Sequence, residues 1–201
     1  MTVAAAGRRE RTKASNRAAI LAAAGDAFAT RGYGATTVRD IVRRTDLASG
    51  TFYNYFPDKE TVFRALVEER VVPLRAAVRA ARWEGGSLRR LVRSGFRAYF
   101  EFIAADPALL ALVRRNAGAI RTLIGTPVLE AGVDELLEDV RAAIARGELP
   151  PLDADYLTAA MTGVAFELAI LMVERRPPDV EGAAAFATDL FLGGIARMSG
   201  A

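Results

Sequence analysis

The apolar residues of this 201-residue chain recur at steps of three and four, and this spacing constrains the fold more than any other feature. Ala is abundant, runs of β-branched residues are short, and apolar and polar residues do not alternate as they do in strands. The pattern predicts an all-α protein of about nine helices. Breaks between the later helices are predicted at Gly85-Gly86, Asp106-Pro107, Gly125-Thr126-Pro127, Gly147 to Pro151 and Pro177-Pro178.

The chain contains no Cys and no His, which limits the chemistry that it can perform. Disulfides and thiolate nucleophiles are excluded, and the commonest general base and metal ligand is missing. No Glu-x-x-His motif and no cluster of acids at inward positions takes their place. We therefore expect neither an enzyme nor a site for a cofactor or metal.

The N-terminal segment MTVAAAGRRERTKASNR lacks the apolar stretch of a signal peptide. Charges interrupt the apolar residues throughout the chain, and no run approaches the ~20 apolar residues of a membrane span. These features predict a cytoplasmic protein without a membrane partner.

Positive charge is concentrated near the N-terminus. Residues 1–56 carry nine Lys and Arg against four Asp and Glu, a net charge of +5, whereas the remainder carries −2. A basic end on a nearly neutral body suits a polyanionic partner, and a solvated charged tail is the alternative.

Four helices are predicted in the first third of the chain from apolar periodicity and capping residues. Gly32 is a candidate left-handed cap after the first helix, and Asp58 can cap the fourth. The first three predicted helices run from Lys13 to Thr30, from a cap at Thr36 or Thr37 through Arg44, and from Ala48 to Phe56.

The segment LASGTFYNYFPDKE, Leu47 to Glu60, holds four of the sixteen aromatic residues of the chain. On a helix, Phe52 and Phe56 share a face that can pack on the core, whereas Tyr53 and Tyr55 point elsewhere. The outward face then carries hydroxyls, phenols and the amide of Asn54, where a plain surface helix would carry Lys and Glu. Such a face suits a helix that lies in the DNA major groove.

The preceding short helix fits a supporting role in the same contact. Arg39 and Arg43 lie one turn apart on its polar face, and Thr37 is placed at its N-terminus, where a phosphate can bind. Gly50 allows close backbone approach, and Lys59 opens the next helix within reach of a phosphate. The two short helices and the tight turn between them form a helix-turn-helix arrangement. Its second helix, which would contact the bases, is called the reading helix below.

Residues 13–66 resemble the DNA-binding domain of the TetR family of transcriptional repressors. The blocks that carry the resemblance are A…F…GY…TTVRDIV, then ASGTFYNYF, then DKE. The resemblance implies an all-α homodimer that binds a palindromic operator and is released by a ligand. The DNA contacts that it implies are Thr37, Arg39, Ser49, Gly50, Thr51, Tyr53, Tyr55 and Lys59.

The sequence departs from the family pattern at the turn and at the start of the reading helix. Asp46 stands where Gly is usual, and Asp tolerates the left-handed conformation. Ala48 stands where a Ser cap is usual, so that Ser49 is expected either to cap the helix or to read a base.

Three regions are predicted: a flexible basic arm over residues 1–12, a DNA-binding domain over 13–57, and a ligand-binding and dimerisation domain over 58–201. The arm segment GRRERTK is expected either to follow the DNA backbone or minor groove, or to be a disordered tail.

Two apolar helices near the C-terminus predict an interface between two copies of the chain, because a helix that is apolar on two sides needs two partners. Filling of the monomer's own core is the alternative. The predicted interface residues are Thr162, Phe166, Ile170, Val173, Phe186, Leu190 and Gly194.

The larger region also predicts a cavity for a small apolar or amphipathic effector. Glu167 is a lone acid in an apolar stretch, so it is expected to face a cavity, to pair with a cation such as Arg97 or Arg114, or to lie at the solvent edge. The predicted lining residues are Phe96, Tyr99, Phe100, Arg115, Asn116 and Glu167.

These features together predict a DNA-binding transcriptional regulator, in the first instance a homodimeric repressor controlled by a small molecule. Its predicted partners are double-stranded DNA, a second copy of itself and the effector. A constitutive DNA binder, an activator without ligand control, and a helical adaptor are the alternatives. Steep salt dependence of binding separates a DNA reader from an adaptor.

Overall fold

The computed structural model describes residues 3–82, 87–123 and 127–199, and these residues form nine helices and no strand. The predicted all-α class is confirmed. In chain order the helices are α1 (Val3–Arg31), α2 (Val38–Val42), α3 (Ser49–Tyr53), α4 (Lys59–Arg82), α5 (Leu88–Ala105), α6 (Pro107–Arg121), α7 (Pro127–Ala145), α8 (Ala154–Glu174) and α9 (Val180–Ser199).

Helix α1 begins at Val3 rather than at the predicted Lys13, so the expectation of a flexible arm over residues 1–12 is wrong from Val3 onward. The added turns consist largely of Ala, Arg and Glu, which all favour helix. Side chains also bond back to the helix: Arg11 donates to the carbonyl of Gly7 at 3.1 Å, and Thr12 donates to that of Arg8 at 3.0 Å.

Most predicted breaks and caps occur where the sequence places them. Gly32 closes α1 with a φ of +82°, in the left-handed region that a Cβ disfavours. The carboxylate of Asp106 accepts from the N–H groups of Ala108 and Leu109 at the start of α6, and Ser87 and Asp153 cap α5 and α8. The breaks predicted at Gly85-Gly86 and at Gly125-Thr126 lie outside the described residues.

Helices α1, α2 and α3 and the start of α4 surround one aromatic core. Phe28, Phe52 and Phe63 are fully buried, and the rings of Phe28 and Phe63 meet edge to face with centroids 5.1 Å apart. Phe56 is also buried, which confirms that Phe52 and Phe56 form the inward face of the predicted reading helix. That face holds α3 in place and leaves its other face to solvent.

The remaining helices form a second layer that is continuous with the first. Helix α5 packs against α4 and α9, α8 lies against α6, α7 and α9, and α6 returns to pack along α1. Buried residues of both parts belong to one apolar cluster, from Ile20 in α1 to Phe191 in α9. Helix α6 therefore connects the larger helical part directly to the helix-turn-helix.

Candidate functional site

The start of α2 is fixed by a reciprocal cap between Thr37 and Asp40. The Asp40 N–H donates to the Thr37 hydroxyl at 3.2 Å, and the Asp40 carboxylate accepts from the Thr37 hydroxyl at 2.6 Å and N–H at 3.0 Å. These bonds from the Thr37 side chain and backbone lower the pKa of Asp40. The Thr37 hydroxyl and N–H therefore both bind Asp40 within the chain, and the predicted role of Thr37 at a phosphate site stays a prediction.

Some of the cationic side chains around α2 form ion pairs within the chain, and others do not. Arg31 pairs with Asp40 at 2.7 Å, and Arg44 donates to the Asp26 carboxylate at 2.9 Å, so both hold α2 against α1. Arg39 and Arg43 are exposed, and their guanidinium groups have no ion-pair partner in the described part of the chain. They lie one turn apart on the outer face of α2, as predicted.

Helix α3 presents the polar face that the sequence predicts. Ser49, Gly50 and Asn54 are exposed, Tyr53 is 57% exposed, and Thr51 and Tyr55 are half-buried. The ring of Tyr53 meets that of Phe52 edge to face at 5.3 Å, so the buried ring supports the exposed one. A Cβ on Gly50 would meet no atom within 4 Å, so packing within the chain does not require Gly there.

The start of α3 differs from the expected capping. Ala48 occupies the N-cap position without a side-chain hydrogen bond, and Ser49 is the first helical residue, so Ser49 does not cap the helix. The helix also ends at Tyr53, earlier than the predicted Phe56. The turn before it forms without a left-handed Asp46, since among the described residues only Gly32 and Gly147 have positive φ.

Lys59 lies at the start of α4, beside this face, but binds within the chain. Its Nζ donates to the carbonyl of Tyr33 at 2.7 Å and lies 4.3 Å from the centroid of the Tyr33 ring. An ammonium group has three donors, so this engagement leaves capacity for a phosphate. The predicted role of Lys59 in DNA binding stays a prediction.

A cavity of about 960 Å³ lies among α4, α5, α6, α7, α8 and α9. Its wall is largely aliphatic and aromatic and includes Phe96 and Tyr99, as predicted, and burial raises the pKa of the Tyr99 phenol. Glu167 lies at its exposed edge and pairs with Arg121 rather than with Arg97 or Arg114. Arg75 also lines the cavity and pairs with Glu135, while its buried Nε–H has no acceptor among the described residues.

The predicted interface residues separate into two groups. Phe186 and Leu190 on α9 are 59% and 49% exposed, and Gly194 is half-buried on the same helix. Val173 is fully buried within the chain, so its assignment to an interface is wrong, and Thr162, Phe166 and Ile170 are half-buried. The outward stripe of α8 is instead Tyr156, Ala160, Gly163, Glu167 and Leu171.

Helix α8 is long and apolar enough to cross a membrane by length and composition alone, contrary to the expectation that no stretch approaches such a span. Only 22% of its apolar window is buried within the chain. The core helix of a soluble protein passes the same test, so this is weak evidence for a membrane span.

Residues 20–66 match the sequence profile of a family described as bacterial regulatory proteins, tetR family. The matched segment begins in α1, includes α2 and α3, and ends in α4. Over these residues the chain is similar to the tetR family. The matched segment and its helix-turn-helix support a DNA-binding transcriptional regulator, the class to which the members of this family belong.

Solved structures of transcriptional regulators share the fold over nearly the whole chain. The fatty acid degradation regulator FadR of Bacillus halodurans superposes with a TM-score of 0.75 at 23% identity, covering 89% of this chain and 95% of that one. FadR of Bacillus subtilis in complex with stearoyl-CoA gives 0.75 at 21% identity, with 88% and 98% covered. The ketosteroid regulator KstR2 of Mycobacterium tuberculosis gives 0.60 at 23% identity, with 90% and 94% covered.

Three residues predicted to line the cavity do not line it. Phe100 is fully buried in the apolar core, whereas Arg115 and Asn116 point from α6 toward α1. Arg115 donates to the carbonyl of Thr30 at 2.7 Å. Their partners lie more than eighty positions earlier in the chain, so no local pattern indicates this direction.

Asn116 is the central residue of this contact. Its side-chain oxygen accepts from the Tyr33 N–H at 2.6 Å, and its amide nitrogen donates to the carbonyls of Phe28 at 3.0 Å and Leu112 at 2.8 Å. The side chain is buried, and the backbone has non-helical angles (φ −127°, ψ 20°) inside α6. Asn116 therefore couples a kink in α6 to the end of α1, although it was expected to bind a ligand.

Proposed function

We propose that this regulator is a homodimeric repressor that binds a palindromic operator and is released by a small amphipathic ligand. The observation that carries the proposal is the exposed polar face of α2 and α3 on a fully buried aromatic base. The face carries unengaged cations, hydroxyls and a phenol, and it lies inside the segment that matches the tetR family. Binding to chromosomal operators places the protein in the cytoplasm.

In the proposed complex α3 lies in the major groove and α2 crosses the backbone beside it. Arg39, Ser49, Thr51, Asn54 and Tyr55 approach base edges, because hydroxyl, amide and guanidinium groups can read them. Tyr53, Lys59 and the start of α2 at Thr37 bind phosphates, and Gly50 allows the backbone to approach closely.

We further propose that residues 13–57 read DNA and that residues 58–201 bind the effector and the second protomer. The exposed rings and aliphatic groups of α8 and α9 meet their symmetry copies across a two-fold axis. Tyr156, Leu171, Phe186 and Leu190 then leave solvent in both protomers, with Gly163 and Gly194 allowing close helix approach. Half-buried Thr162, Phe166 and Ile170 lie at the margin. This arrangement presents two copies of α3 to successive turns of one face of the duplex, ~34–36 Å apart.

The cavity supports the effector part of the proposal. It has the volume of a small-molecule site and is largely apolar, and the buried Nε–H of Arg75 offers a donor to an acceptor group of the ligand. The structural relative solved with stearoyl-CoA makes a long acyl chain with a polar head the first class to test. The ligand lowers DNA affinity only as far as it binds a non-binding arrangement of the dimer more tightly.

Selection from random duplex DNA by the purified full-length protein tests the reading face. We expect the protein to select the same palindromic sequence at each of two salt concentrations. Its affinity for that sequence should weaken steeply as the salt concentration rises. The matched variant is Thr51→Ala, which removes one proposed base contact. It should relax the base preference at one position of each half-site. Recovery of unrelated fragments by the wild-type protein would contradict specific reading.

The effector is tested with the recovered duplex and a series of acyl-CoA thioesters of increasing chain length. We expect release of the duplex to strengthen with chain length, because the cavity wall is apolar, and free coenzyme A to be the inactive control. Release by no member of the series, with a mass spectrum of the denatured protein that shows no bound small molecule, would contradict ligand control.

A further inference from the structure

We propose that the N-terminal turns of α1 form a second DNA-binding surface that grips the phosphate backbone beside the reading helix. The surface consists of Arg8, Arg9, Thr12 and Lys13 and is called the basic face below. The inference rests on the proposed function, in which α2 and α3 bind duplex DNA, and adds a contact outside the helix-turn-helix.

The basic face belongs to a stretch of helix that packs on nothing in the described chain. Residues 8–15 are all exposed, and the first fully buried residue of α1 is Ile20. At a rise of 1.5 Å per residue, Arg8 stands roughly 18 Å beyond Ile20 along the helix axis. A helix that buries no apolar face is not stabilised by packing on the rest of the chain. Contact with a partner would therefore add to the stability of these turns.

In these turns the residues of the basic face and the acidic Glu10 lie on different sides of the helix. At 100° per residue the basic face spans about 140° of the helix circumference, and Glu10 lies on the other side. Arg11 and Arg17 are engaged within the chain, since Arg11 bonds to the carbonyl of Gly7 and Arg17 pairs with Glu69. Among the described residues, the cationic groups of Arg8, Arg9 and Lys13 have no acidic partner.

The basic face borders the end of the reading helix directly. Together with Asn54 and Tyr55 it lines an open groove of about 570 Å³. These two residues follow Tyr53, the last residue of α3, and belong to the proposed reading surface. A DNA backbone strand that flanks the major groove at this end of α3 would enter the open groove of the protein. There its phosphates would contact three cationic side chains.

The charge and the position of the groove both favour duplex DNA as its ligand. The groove combines positive charge with a hydroxyl and an amide, the donor set that binds phosphate oxygens. It is also continuous with a surface that faces DNA in the proposed complex, so one straight segment of duplex can contact both. The added contacts are to the backbone, and they raise affinity without changing which sequence is preferred.

The test compares Arg8→Ala/Arg9→Ala/Lys13→Ala with wild-type protein on the selected duplex and on an unrelated duplex across a salt series. The log–log slope of affinity against salt should fall by about 0.9 for each lost phosphate contact, or about 2.7 for each protomer. The preferred sequence should not change. Because the three residues are exposed, the thermal unfolding midpoint should also stay the same.

Two matched variants separate local contact from overall charge. Arg90→Ala/Arg146→Ala/Arg176→Ala removes three exposed cations from the larger part of the chain and should leave the slope unchanged. Arg8→Lys/Arg9→Lys keeps the charge and should retain most of the slope. An unchanged slope in the basic-face variant, or equal losses in both triple variants, would overturn the inference. Failure of the wild-type protein to select a sequence would instead overturn the proposed operator binding, while the unrelated duplex still tests the basic face.

Discussion

At the scale of single residues, the chain separates buried rings from exposed ones within five positions. Phe52 and Phe56 are held in the core, and Tyr53 lies on top of Phe52 with more than half of its side chain in solvent. The edge-to-face contact with Phe52 orients the exposed Tyr53 ring on the surface of the domain. Such preorganisation lowers the entropy cost of binding a phosphate.

Replacing Tyr53 with Phe should weaken operator binding at least tenfold without unfolding the protein. The change removes only a hydroxyl, and a hydrogen bond to a charged group contributes about 1.5–3 kcal/mol. Binding isotherms on the selected duplex measure the loss, and circular dichroism checks the fold. Tyr99→Phe, which removes a phenol hydroxyl from the cavity wall rather than from the face of α3, is the control and should bind normally in the absence of effector. Equal affinity of the two variants would exclude a phosphate contact through the Tyr53 hydroxyl.

At the scale of helices, the carboxylate of Asp40 fixes the start of α2 through bonds that require its charged form. Its pKa is lowered in the folded chain, so the stabilisation is present above the unfolded value of about 3.9 and is lost as the pH falls through the folded value. Asp40→Asn should therefore unfold more easily than the wild type at pH 6, and this difference should be smaller at pH 3, below the unfolded value. Chemical denaturation at both pH values measures it. A difference that persists at low pH would mean that the charge is not what stabilises the cap.

Helix α6 joins the cavity to the reading end, because one of its faces lines the cavity while Asn116 bonds to α1. Asn116→Ala should lower the free energy of unfolding by about 1–3 kcal/mol, since the Tyr33 N–H would lose its acceptor and the Phe28 carbonyl would keep only the Gly32 N–H. Asn54→Ala, at an exposed asparagine, is the control for stability and should change it little. Equal unfolding midpoints for the two variants would show that the α1–α6 contact does not depend on these bonds.

The helices also show what the sequence can and cannot specify. Apolar period, Gly and Pro positions and capping residues predict the number of helices, the turn before α3 and the inward rings, because these depend on local chemistry. The start of α1 is missed because an exposed helix has no apolar period to detect. The direction of Arg115 and Asn116 is missed because their partners are distant in sequence. The outward face of α8 is missed because a helix apolar on all sides has no preferred side.

At the scale of the whole molecule, exposed apolar surface on α8 and α9 is the feature that a monomer does not explain. Phe186 and Leu190 are large side chains left about half in solvent, on a helix whose other side is fully buried at Ala184 and Ala187. Covering such groups stabilises an assembly by about 25 cal/mol for each Å² of apolar surface removed from water. A two-fold axis doubles the gain, since each residue is covered twice.

Leu190→Glu should therefore convert the protein to monomers and abolish tight operator binding. The substitution places two carboxylates in one apolar interface, where desolvation and mutual repulsion both oppose association. Light scattering measures the mass, and binding to full and half operator sites separates loss of the dimer from damage to α3. Val72→Glu is the matched control, because Val72 is a similarly exposed aliphatic residue on α4, and it should remain dimeric. If Leu190→Glu keeps the mass and affinity of the wild type, then α9 does not form the interface and the spacing of the two reading helices must be set by another surface.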